Sequence, residues 1–162
     1  MWTTTKWIPG ALIVLACTLL ASGCASGADR IDNLLDTLPT PLDVELVYQA
    51  SGEGQGSQDS CYFPYTKQLY GTNRSFEDVV AFYERSLDQT TWQPRSDGLV
   101  PRNSPSWETT SGDFWLSVRP DPRLDFPEDV VQEAQSRYRT IYFITVTYID
   151  KIARTKCLGV KD

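Results

Sequence analysis

The chain has 162 residues, a formal net charge of −6 and 41% hydrophobic residues, with no histidine anywhere. That length suits one domain with a real core, and the acidic balance disfavours nucleic acid and anionic lipid heads as direct partners. Without imidazole, Ser-His and Cys-His nucleophile pairs, histidine bases and histidine metal sites are all removed.

The first segment carries an address. Lys6 gives a short positive front, residues 8–20 an apolar middle, and Ala21, Ser22 and Gly23 supply small residues directly before Cys24. The apolar middle falls short of the roughly 20 residues that a permanent membrane helix needs, and Pro9-Gly10 shortens its regular part further. This segment resembles the lipobox signal of bacterial lipoproteins, in which small residues precede an obligatory cysteine. The family favours Leu three residues before that cysteine; here Ala21 stands there, with Leu20 one step earlier. The resemblance implies that residues 1–23 are removed and that the Cys24 thiol carries diacylglycerol, its new amine often being acylated as well. Ordinary cleavage nearby and an uncut anchor are the alternatives. The location it implies is the extracytoplasmic side of a cell membrane or outer membrane. With Lys6 gone, 14 basic against 21 acidic residues leave a formal charge of −7. Acyl chains would therefore do all the holding, and stable anchoring takes two or more of them.

The same reading sorts the cysteines. Cys17 leaves with the signal and Cys24 becomes the anchor. Cys61 and Cys157 remain as an even pair in a compartment where disulfides persist, so a Cys61–Cys157 bond is expected, with two separate buried thiols as the alternative. A lone cysteine pair does not supply four zinc ligands, and no metal or cofactor is expected.

Residues 24–29 read as lipidated cysteine and tether, and residues 30–162 as a single domain. Asp29 is placed to cap a helix over residues 30–38, with Ile31, Leu34, Leu35 and Leu38 on one side; Pro39 and Pro41 end it. Residues 43–50 alternate as a strand, and residues 51–60 form a flexible connection whose glycines match no phosphate-binding pattern. Residues 61–70 resume as a strand, which Pro64 would place at an edge. Ser75-Phe76-Glu77-Asp78 has the form of a capping box and opens the best helix, with Phe76, Val79, Val80, Tyr83 and Leu87 in one stripe. Trp92 begins a further strand, and residues 95–106 read as loop. Residues 107–110 and 113–119 form a hairpin around Ser111-Gly112. A second helix spans residues 128–138, with Pro127 in its first turn and Asp125 as its cap. Residues 140–150 are apolar on both faces: Ile141, Phe143 and Ile149 on one, Tyr142, Ile144, Val146 and Tyr148 on the other. Such a strand is central in its sheet. The expectation is a single two-layer α+β domain, an antiparallel sheet with two main helices on one face. Residues 75–92 also resemble a motif of small bacterial envelope lipoproteins, which implies that same layout and no chemistry.

Two sets of residues are candidates for function. Asp121, Asp125, Glu128 and Asp129 cluster around one loop and could serve carboxylate catalysis or hold calcium, although capping and the helix dipole account for three of them. Trp115, Tyr142 and Tyr148 would form an aromatic binding face if helices cover only the other side of the sheet. The expected function is that of a non-catalytic, membrane-anchored lipoprotein binding an envelope protein or small ligand. The alternative is a carboxylate-dependent enzyme acting on envelope glycans.

Overall fold

The computed structural model describes residues 26–55, 61–95 and 104–158. The signal segment, Cys17, Cys24 and most of the loop expected at residues 95–106 lie outside them. Ten elements follow in order: α1 (Gly27–Leu35), β1 (Val44–Gln55), β2 (Tyr62–Thr72), α2 (Phe76–Ser86), β3 (Trp92–Pro94), β4 (Ser106–Thr109), β5 (Phe114–Arg119), α3 (Glu128–Arg137), β6 (Thr140–Tyr148) and α4 (Lys151–Leu158). The strands form one antiparallel sheet in the order β1-β2-β6-β5-β4-β3. Thus α2 carries the chain from β2 to the far edge, and a meander brings it back to place β6 beside β2.

The strand that is apolar on both sides is central, as expected. β6 lies between β2 and β5, and residues 141–144 are all buried. Its alternation defines two faces. On the Tyr142 face, Tyr142, Ile144 and Val146 meet Ile31 of α1 and Val79, Tyr83 and Leu87 at α2, together with Trp92 and Trp107. On the Phe143 face, Ile141 and Phe143 meet Leu69, Phe126 and, from α3, Val131 and Ala134.

The antiparallel α+β domain therefore stands, but its two main helices do not share a face: α2 covers one and α3 the other. The reason is β6 itself, because a strand apolar on both sides needs a helical layer on both. At about 1.5–3 kcal/mol per buried large side chain, leaving either row wet would cost several kcal/mol.

Local chemistry explains most boundaries. Ser75 caps α2 by accepting from the Asp78 amide at 3.1 Å, while the Asp78 carboxylate accepts from the Ser75 amide at 3.4 Å. The same box opens α1, where Ser26 is the cap and Asp29 the third helical residue. The helix thus starts at Gly27, so residues 27–29, read as tether, belong to it. β1 extends through Gln55 rather than ending at Ala50, because Ser51–Gln55 pair with residues 62–66 of β2. Pro64 does not make β2 an edge strand. The β2–β6 ladder begins at Tyr65, one residue later, so the missing N–H of Pro64 falls where β2 has only β1 beside it. Gly112 turns the β4–β5 hairpin with φ +72°, a conformation that glycine adopts without steric penalty.

The Cys61–Cys157 disulfide is present, with Cα atoms 5.8 Å apart. It joins the start of β2 to α4, a helix that the sequence pattern did not reveal. Both cysteines are buried with Phe63 and Ile149, and Trp115, Ala153 and Leu158 pack around them. Closing a loop of 96 residues constrains the unfolded chain strongly. Reduction, or the double change Cys61→Ala and Cys157→Ala, is expected to lower the unfolding free energy by about 2–5 kcal/mol in urea titrations. An unchanged midpoint would count against this role.

Gly71 yields a second test. A Cβ there would lie 2.1 Å from the Tyr138 ring, which is held by the Glu45 carboxylate and Arg137. Gly71→Ala is expected to cost about 1–3 kcal/mol by overpacking, with Tyr138 displaced from Glu45. The same titration measures it.

Candidate ligand groove

The three aromatic candidates do not form one surface. Tyr142 is fully buried and stacks on Tyr70, ring centres 5.4 Å apart, beneath α2. Burial, with the neighbouring Tyr83 and Tyr70 hydroxyls, pushes its own hydroxyl far above the ordinary phenol range. Tyr148 is half-buried against Phe114 at 5.2 Å, with the Arg30 guanidinium of α1 over its ring. Trp115 lies on the opposite face of the sheet, because its register partner on β6 is Thr147, whereas Phe114 pairs with Tyr148. There it leans on the disulfide cluster, and the Arg95 guanidinium covers its ring at 3.2 Å. The register of β5 against β6 decides this, and neither strand alone encodes it.

The carboxylates of the loop before α3 are engaged structurally. Asp125 does not cap α3; the cap residue is Pro127, without a side-chain bond. Instead Asp125, with a side chain 13% exposed, accepts from Lys67 of β2 at 2.6 Å and lies 3.6 Å from Arg119 of β5. Two cations on the Phe143 face attract it more strongly than one helix end can. Asp121 accepts two hydrogen bonds from the Arg123 guanidinium and one from the Arg123 amide, which hold its carboxyl down to about 2. A general acid needs the opposite shift. Glu128 accepts from Gln132 one turn on, and Asp129 is exposed in the first turn of α3. Among the described residues no group of three His, Cys, Asp or Glu side chains could hold a metal ion.

Concavity occurs elsewhere, along the outer side of α2. One cavity of about 640 Å³ lies between the end of α2 and the β3–β4 edge, bounded by Leu87, Trp92, Pro94, Pro105 and Trp107. A second of about 730 Å³ continues along the helix past Phe76, Val80, Ala81 and Pro120. Glu84 and Pro105 line both, so the two adjoin along the outer side of α2, here termed the α2 groove. Helical spacing sets this up: Val79 and Tyr83 turn into the core, while Phe76 and Val80 stay half-buried at its margin. Glu77 and Glu84, seven residues apart, stand along the same groove, and Gln89 and Gln93 add amides at the strand end. Apolar walls with a few polar groups are the usual composition of a small-ligand or peptide site.

Reading the sequence for aromatic strands missed this groove. Its one legible trace is the mirrored pair Trp92-Gln93-Pro94 and Pro105-Ser106-Trp107, which antiparallel pairing brings together with Pro94 opposite Trp107. No protein-family model matches the chain, and neither a curated protein nor a solved structure matches it.

Because Asp125 is the shared counter-ion of Lys67 and Arg119, Asp125→Asn is expected to destabilise the domain by about 1–3 kcal/mol. Urea denaturation would measure it, and an unchanged midpoint would show that the cluster carries no weight.

Proposed function

We propose that this chain is a lipid-anchored lipoprotein of the extracytoplasmic side, binding a protein or small ligand in the α2 groove without catalysing a reaction. The groove is the observation that carries the reading: it is the one extended concavity among the cavities described whose walls combine buried tryptophans with half-buried aliphatic side chains. The Cys61–Cys157 bond supports the compartment, since such bonds persist where thiols are not kept reduced. The start of α1 supports closeness to a membrane. Only Ala25 separates Cys24 from the Ser26 cap, so an anchor at Cys24 leaves the domain almost no slack. The reading as a carboxylate enzyme is weaker, because Asp121 and Asp125 are already bound by arginine and lysine.

Two experiments test the two halves of the proposal. Intact-mass analysis of the membrane fraction should give a mature chain beginning at Cys24 with added acyl mass, and Cys24→Ser should release the protein from membranes. A bare thiol or a different N-terminus would refute the anchor. For the groove, a photo-crosslinking side chain placed at Ala81 in intact cells should give a discrete adduct that the same probe at Ser136, on α3, does not. Val80→Asp should weaken that capture by about tenfold or more, which is ~1.4 kcal/mol, with the circular dichroism unchanged. Equal labelling at Ala81 and Ser136 would dispose of the groove.

A further inference from the structure

The two edges of the sheet are unlike. β3 offers three residues and ends in Pro94, which blunts it. β1 runs for 12 residues with β2 on one side and, among the described residues, no backbone partner on the other. It contains no proline and no basic residue, the two commonest guards of an exposed edge. Its only irregularity is the bulge between Leu46 and Tyr48. The end of α3 reaches the strand before that bulge, through Arg137 and Tyr138 on Glu45. Residues 48–54 form the straight run beyond it.

We propose that this edge pairs with β1 of a second copy of the chain, antiparallel and centred on Ser51. Residues opposite each other across an antiparallel pair share a face. A two-fold axis at Ser51 therefore sets Gln49 opposite Glu53 of the second copy, Ala50 opposite Gly52, and Tyr48 opposite Gly54. Each pair is complementary. The Gln49 side-chain oxygen already accepts from the Gln68 amide at 2.7 Å, so its own NH₂ is left to donate, and the Glu53 carboxylate is an acceptor. The bulk of Tyr48 meets a glycine. No like charges face each other, since Glu45 lies beyond the bulge. Centring one residue earlier, on Ala50, loses the amide–carboxylate pair.

The axis of such a pair stands normal to the sheet, so both copies keep α1 and α2 on the same side. Both Ser26 ends then leave from the same layer, and two chains anchored at Cys24 could pair in one membrane without inverting either. That last point rests on the anchor reading; the strand pairing does not.

The test uses the full chain with Ser51→Cys, mild oxidation and a non-reducing gel. Opposite Cβ atoms in such a pair lie about 4.5–5.5 Å apart, within reach of a disulfide after small adjustment. Ser51→Cys is expected to give a covalent dimer about tenfold above both the unsubstituted chain and Ser136→Cys. A mixture of Gln49→Cys and Glu53→Cys chains should crosslink more than either alone. A dimer yield no greater than that of Ser136→Cys would overturn the pairing, as would crosslinking of Glu53→Cys with itself at the level of Ser51→Cys. Capture in the α2 groove is read separately, so either idea can fail without the other.

Discussion

Everything else in this fold follows from a central strand that tolerates water on neither side. Tyr142, Phe143 and Val146 are fully buried, and Ile141 and Ile144 nearly so. A sheet built around such a strand needs helices above and below it. The Tyr142 face takes α1 and α2, while the Phe143 face takes α3 and, beyond it, the disulfide-linked α4. Among the described residues, the outer side of α2, the short edge at β3 and the long edge at β1 are left outside these two layers.

This division also explains which readings of the sequence succeeded. Helix starts were legible at Ser75 because capping is a local interaction of four residues. The double-sided pattern of residues 140–150 was legible because it spans a whole strand. The disulfide followed from the even pair of cysteines left outside the signal segment and from the compartment that the lipobox resemblance implies. In contrast, α4 has a weak amphipathic pattern, with Lys151, Arg154 and Lys156 among its eight residues, and is held by Cys157 rather than by a broad apolar stripe. Residues 27–29 read as tether because the capping box of Ser26 and Asp29 begins at Ser26, well before the apolar periodicity starts at Ile31.

The proposed aromatic face failed for a reason of register. Trp115, Tyr142 and Tyr148 each belong to well-read strands, yet Trp115 pairs with Thr147 and so turns away from the two tyrosines. The groove along α2 escaped notice for a related reason. Its walls come from a helix and from two short strands whose pairing joins Pro94 to Trp107 across sequence. Long-range pairing of this kind is set by tertiary packing, and no window of sequence contains it. The carboxylates misled differently. Asp125 sits where a cap would, but Lys67 and Arg119, distant in sequence, bind it first.

The claim that β6 organises the domain is open to direct measurement by native-state hydrogen exchange. Amides of β6 and of β2 opposite it should exchange slowest, at the rate of global unfolding, while β3 and the end of β4 exchange faster. If β6 amides exchange as quickly as those of β3, the strand is not buried on both sides, and the layered arrangement described here is wrong.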